Sequence, residues 1–150
     1  MMIDKKKRLT ILIAEDDDDD FLLVKEAFEE SRLPHEIYRA RDGEELLEFL
    51  LHKGDFTDRE SSPRPMLILL DLNMPKKDGR EALAEIKAHP DLRKIPVVIL
   101  TTSRADEDII RTYDLGVNSF IRKPVDFSEF VGIIRTLSVY WFEIVELPPG

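Results

Sequence analysis

Apolar runs rich in β-branched residues recur along the chain at Leu9 to Ala14, His35 to Ala40, Met66 to Leu70, Ile95 to Leu100 and Asn118 to Arg122. Each is followed by a stretch with the residue spacing of an amphipathic helix, which predicts a succession of β–α units. Three runs, Ile11-Leu12-Ile13, Leu67-Ile68-Leu69-Leu70 and Val97-Val98-Ile99-Leu100, are apolar throughout instead of alternating, as strands buried on both faces must be. A parallel sheet covered by helices follows. Helices are expected over 18–32, 43–53, 79–89, 105–115 and 126–146. Asp17 or Asp18 suits the cap of the first, Asp42 that of the second and Asp126 that of the fifth, and Gly116 suits the end of the fourth. The segment from Gly54 to Pro65, GDFTDRESSPRP, has turn-forming composition and reads as an exposed connection. No internal repeat or second-domain linker interrupts the pattern, so the chain reads as one domain.

Composition narrows the partners. The 150 residues are 43% hydrophobic and 35% charged, a globular balance with enough apolar side chains for its own core. The formal charge of −9 disfavours nucleic acid and anionic membrane as partners. Much of it is local, because outside the acidic run Glu15 to Asp20 the chain holds 25 acids against 22 bases. Cysteine is absent, which excludes disulfides, thiolate nucleophiles and Cys-containing metal sites. His35, His52 and His89 stand apart without a metal-binding spacing, so any bound metal should be hard and oxygen-liganded. The basic residues Lys5 to Arg8 precede an apolar run that meets acids at Glu15, which does not make a signal sequence. With no stretch of transmembrane length, a cytoplasmic protein is expected.

In open parallel α/β sheets, ligands bind beyond the carboxyl ends of the strands, near the point where strand order reverses. Glu15 and Asp16 follow the first strand, Asp71 the third and Thr101 and Thr102 the fourth, while the fifth ends in Lys123-Pro124. Strand two offers only Arg41 and Asp42 there. In a flavodoxin-like (βα)5 three-layer sandwich of order 2-1-3-4-5, strands one and three are neighbours, so Glu15, Asp16 and Asp71 should converge. Three carboxylates in one pocket repel each other unless a cation joins them, and Mg²⁺ suits such oxygens. Lys123 and the Thr101 hydroxyl arrive from the other side, a cation and a donor suited to a phosphoryl group. Taken singly, each feature has a plainer explanation: Asp17, Asp18 and Asp19 complement a helix dipole and face water, and an Asp after a strand is often a turn residue. Their joint occurrence, each at a different strand end in the required order, is what points to phosphoryl chemistry.

These residues resemble the signature of response-regulator receiver domains of two-component signalling: Glu15-Asp16, Leu70-Asp71-Leu72-Asn73-Met74-Pro75 with Asp78-Gly79, Thr101-Thr102 and Lys123-Pro124. The resemblance covers about residues 9–140, with a helical extension and tail beyond it. Pro63-Arg64-Pro65, the stretch NMPKKDGREALAEIK and Tyr140-Trp141-Phe142 are similar to the single-domain regulators that partner phytochrome-type histidine kinases. The resemblance implies that Asp71 accepts phosphoryl from a kinase phosphohistidine, so that the chain acts as a regulator and not as an enzyme. It implies Asp16, Asp71 and the Asn73 backbone carbonyl as Mg²⁺ ligands. Glu15 stands where Asp is more usual and would reach the metal through a water. Lys123 and Thr101 would contact the phosphoryl group, with Thr102 in its environment at a position that is often small and Ser103 with Asn73 tuning its lifetime. Thr101 would then swing toward the phosphoryl oxygens and Phe120, where many relatives carry Tyr, would turn inward. The fourth helix, fifth strand and fifth helix would present a changed surface.

The last helix adds a clue of its own. Phe127, Phe130, Val131, Ile134, Trp141 and Val145 form one stripe, and Ile133, Leu137, Tyr140 and Ile144 form a second beside it. Together they are wider than one core face needs. Either the helix is deeply sunk or a second copy covers the remainder, and the resemblance favours a homodimer.

Other functions fit less well. A phosphatase with an Asp nucleophile usually carries a second Asp two positions on, where this chain has Asn73. A nucleotide or flavin binder would need a neutral or basic phosphate cradle after the first strand, where this chain is acidic. A non-phosphorylated scaffold of the same fold leaves the intact acceptor, metal and Lys positions unexplained.

Overall fold

The structure is a computed structural model that describes residues 9–31, 34–72, 74, 76–77, 79–101, 119–122 and 127–139. Parallel strands β1 (Leu9–Ala14), β2 (His35–Ala40), β3 (Leu67–Asp71), β4 (Val97–Thr101) and β5 (Ser119–Arg122) form one sheet of order β2-β1-β3-β4-β5. This is the predicted α/β order. Helices α1 (Asp18–Ser31), α2 (Gly43–Leu51) and α3 (Gly79–Ala88) follow the first three strands, and the last helix spans Phe127–Val139. The helix expected over 105–115 lies outside the described residues.

The continuous apolar runs do what their pattern requires. Alternate residues of the central strands feed opposite faces: Leu12, Ile68, Leu70 and Ile99 pack under α2 and α3, while Ile11, Ile13, Leu69 and Leu100 pack under α1 and the last helix. All eight are fully buried. Two cores thus clamp the sheet and make the carboxyl ends of β1 and β3 a rigid platform. Among the described residues, no helix is long and apolar enough to cross a membrane.

Helix ends follow local chemistry. Asp17, one of the two expected caps, accepts the Asp20 N–H at 3.0 Å and starts α1. Asp42 accepts the Glu45 N–H at 2.8 Å and starts α2, as expected. Asp42→Ala should lower stability by about 1 kcal/mol and the melting temperature by about 2–4 °C, readable by calorimetry.

Several expectations need correction. The third strand runs Leu67–Asp71 and the fourth Val97–Thr101, each carried one residue further than the apolar run because the ladder continues through Asp71 and Thr101. Helix α2 stops at Leu51 because His52 takes a left-handed φ of 59°, which ends helical hydrogen bonding before Gly54. The connection from Gly54 to Pro65 is only partly exposed. A short 3₁₀ turn at Gly54–Phe56 sets the Phe56 ring 5.3 Å from Phe49, and Ser62 and Pro65 are buried.

Candidate functional site

Three carboxylates meet at the carboxyl end of the sheet. One oxygen from each of Glu15, Asp16 and Asp71 lies within 4.8 Å of the others. The chain makes this cluster by ordinary ladder chemistry. The Glu15 N–H donates to the Ala40 carbonyl at 2.9 Å, continuing the β1–β2 pairing one residue past the strand and drawing Glu15 into full burial. The backbone then turns outward, leaving Asp16 exposed, while the Asp17 N–H donates to Glu15 Oε2 at 3.3 Å.

Asp71 is placed from the other side. It remains in register with Leu100, and the next residue, Leu72, donates its N–H to the Leu100 carbonyl at 3.2 Å. The Gly79 N–H donates back to the Leu72 carbonyl at 3.0 Å, so the start of α3 lies against the Asp71 backbone. A Cβ at Gly79 would sit 2.4 Å from the Asp71 carbonyl oxygen and 2.6 Å from the Leu72 Cα. Only glycine permits that approach.

The loop between Asp71 and α3 is held at its far end as well. The Gly43 N–H at the start of α2 donates to the Lys77 carbonyl at 2.9 Å, and Lys76 Nζ lies 3.7 Å from Asp42 Oδ2. Lys76 adopts a left-handed φ of 61°, a strained state for a side-chain-bearing residue. The Lys77 ammonium donates to Glu85 of α3, and that hydrogen bond raises its pKa above the ordinary lysine value.

Charge dictates what the pocket can hold. Two carboxylates a few ångströms apart repel by roughly 3–4 kcal/mol per pair at a protein's effective dielectric. A cation between them reverses that penalty. The cluster offers oxygen alone, with no imidazole or sulfur, and two of its three members are buried. That donor set fits a hard divalent cation such as Mg²⁺ or Mn²⁺.

Of the residues singled out from sequence, the structure brings Glu15, Asp16 and Asp71 together. Thr101 ends β4 opposite Arg122, the residue before Lys123, and Phe120 lies in β5 opposite Ile99. The side chains of Thr101 and Phe120 and all of Asn73, Thr102, Ser103 and Lys123 lie outside the described part. On the last helix, Phe130, Val131 and Ile134 are buried against the sheet and Ile133 is half-buried against the same core. Tyr140 and Ile144 and the Leu137 side chain also lie outside it.

One residue beside the pocket escaped the sequence reading. Arg39, in β2, donates from Nε to the Glu15 carbonyl oxygen at 3.1 Å and from Nη1 to Asp18 Oδ1 at 2.8 Å. The available signal was parity: Arg39 shares the strand face of Ile37, the face that α1 covers with its acidic first turn.

Comparison with known proteins agrees with this geometry. The family model described as the response regulator receiver domain matches residues 11–135. Response regulator Rcp1 of Synechocystis sp. is 47% identical over 126 residues, covering 84% of this chain and 84% of that protein. The structure of the phosphorylated cyanobacterial phytochrome response regulator RcpA superposes with a TM-score of 0.85 at 43% identity, covering 95% of this chain and 99% of that one. The Mn²⁺-bound form of Rcp1 superposes with a TM-score of 0.82 at 45% identity, over 94% of this chain and 99% of that one. A sheet of this order with clustered acids at its carboxyl edge, matched by that family over most of its length, has one consistent placement: the chain belongs to the response regulator receiver domain family.

Proposed function

We propose that this chain is a phosphoaccepting switch in which Asp71 takes a phosphoryl group from the phosphohistidine of a histidine kinase. The observation that carries the reading is the convergence of Glu15, Asp16 and Asp71 at the mouth of the sheet, with Asp71 fixed from both β4 and α3. An Asp71 carboxylate oxygen attacks phosphorus in line, the P–N bond breaks, and its electron pair returns to the imidazole, leaving an acyl phosphate. Asp16 and Asp71, with the Asn73 carbonyl and with Glu15 assisting, would hold Mg²⁺, which when bound would supply positive charge to offset the carboxylates and attract phosphoryl oxygens. Thr101 ends β4 and Lys123 comes next in sequence after Arg122 of β5; in this reading both would contact the transferred group, with Thr102 and Ser103 completing its environment. The rest is positioning, which the two-sided core provides. No substrate is turned over: the chain promotes its own phosphorylation and dephosphorylation.

The partner we infer is a phytochrome-type histidine kinase, because RcpA is described as a phytochrome response regulator and resembles this chain over 95% of its length. A single receiver domain working in the cytoplasm, switching through Thr101 and Phe120, completes the reading. With acetyl phosphate as donor, the protein should gain one phosphoryl mass in Mg²⁺ and none in EDTA. Labelling that ignores EDTA would contradict the site.

We further propose a homodimer through Ile133, Leu137, Tyr140 and Ile144, the second apolar stripe of the sequence. Among the described residues of the last helix, Phe130, Val131 and Ile134 are buried in the core, Ile133 is half-buried against it, and Gly132, Arg135 and Thr136 are exposed. Sedimentation at tens of micromolar should give a dimer mass. A monomer, phosphorylated or not, removes the proposal.

A further inference from the structure

Strand β2 contributes no carboxylate to the notch, yet its Arg39 grips the turn that carries two of them. The guanidinium is largely buried, with the side chain 15% exposed. Three contacts fix it: Nε to the Glu15 carbonyl oxygen at 3.1 Å, Nη1 to Asp18 Oδ1 at 2.8 Å, and the guanidinium carbon 4.5 Å from the centroid of the Phe21 ring. Asp18 and Phe21 belong to α1 and Glu15 to the preceding turn, so one side chain ties β2 to both ends of the Glu15–Asp16 segment. Its Nη2 is buried and has no hydrogen-bond partner among the described residues.

We infer that Arg39 is a positioning residue for the cation site, acting through its Nε–H bond to the Glu15 carbonyl to hold the Glu15–Asp16 turn in binding geometry. The inference rests on the reading of the notch as a divalent-cation site. Glu15 is the hinge of that turn: its N–H is pinned to Ala40 and its carbonyl to Arg39, so the peptide on each side has a fixed direction. Asp16, which follows immediately, inherits its orientation from that second pin. Groups that orient a metal ligand through one intervening bond typically change affinity by roughly 10–100-fold when removed.

Two substitutions of equal length separate the hydrogen bond from the charge. In Arg39→Gln the amide nitrogen falls where Nε was, keeping the donor and losing the charge. Arg39→Met places a methyl group there and loses both. Each also loses the Asp18 ion pair and the guanidinium on Phe21, so both should melt lower than wild type by a similar amount.

Mg²⁺ binding, measured by calorimetric titration without any phosphodonor, should not follow that parity. It should weaken about 10-fold in Arg39→Met and stay within about threefold of wild type in Arg39→Gln. Should Arg39→Met not fold, Arg39→Lys, which keeps the charge and has carbon at that position, should show the same weakening. Wild-type affinity in the Met or Lys variant, or equal weakening in Met and Gln, overturns the inference and leaves the site intact. Wild-type protein that binds no Mg²⁺ overturns both.

Discussion

Asp71→Asn should abolish phosphoryl uptake and, in cation-free buffer, raise the melting temperature. The first effect is chemical: a carboxamide is uncharged, its nitrogen lone pair is delocalised, and it offers no oxygen able to form a stable acyl phosphate. The second is electrostatic. Asp71 is 6% exposed and shares its pocket with fully buried Glu15 and with Asp16, all within 4.8 Å. Removing one charge relieves repulsion, and after the loss of Asp71's own hydrogen bonding the net gain should be about 1–2 kcal/mol. For a domain of this size that is roughly 2–8 °C. Saturating Mg²⁺ stabilises wild type more than the variant, so the gap should narrow or reverse. Intact-mass measurement after acetyl phosphate and calorimetry with and without EDTA read both effects. A variant that melts lower in EDTA would show that the three carboxylates are not in mutual repulsion.

Gly79→Ala should be the most damaging small substitution near the site. The added methyl would meet the Asp71 carbonyl oxygen at 2.4 Å and the Leu72 Cα at 2.6 Å, and both are backbone atoms in a ladder that extends to Leu100. No side chain can swing away to make room. Either α3 retreats or Asp71 moves by about 1 Å, at a cost of about 2–3 kcal/mol, which lowers the melting temperature by roughly 4–12 °C. Misplacement of that size can slow a positioned reaction by about 100-fold, so labelling by acetyl phosphate should fall more than the loss of folded protein explains. Gly132 is the internal control. A Cβ there meets nothing within 4 Å, and in a helix interior Gly132→Ala should be neutral or stabilise by about 0.5–1 kcal/mol. If the two variants behave alike, the close approach at Gly79 is not a constraint on Asp71.

Much of this was legible from residues alone, for a physical reason. A strand buried on both faces must be apolar at every position, so Ile11 to Ile13, Leu67 to Leu70 and Val97 to Leu100 announced a covered parallel sheet. The sheet's mouth was then set by whichever polar residues came next, which is how Glu15, Asp16 and Asp71 were identified before any geometry. Strand ends were misjudged at Asp71 and Thr101 because hydrogen bonding continues one residue past the hydrophobic pattern. His52 ended α2 early because its left-handed backbone is a conformational choice that no side-chain pattern records.

The partner of Arg39 and the bracing at the start of α2 could not be read for another reason. The Arg39–Glu15 contact spans 24 residues, and the Gly43–Lys77 bond joins backbone atoms, which no side-chain pattern marks. Strand two carries none of the three clustered carboxylates. Its contribution is to hold the loops that have them.

The claim on which the rest stands is that phosphorus bonds to Asp71 and to no other side chain. Borohydride reduction of the acetyl phosphate-treated protein, followed by peptide mapping, converts an aspartyl phosphate to homoserine at its own position. Homoserine at position 71, and only in samples that received Mg²⁺, is the expected result. Reduction at Asp16, or phosphate recovered on His35, His52 or His89 with position 71 unchanged, would contradict the account.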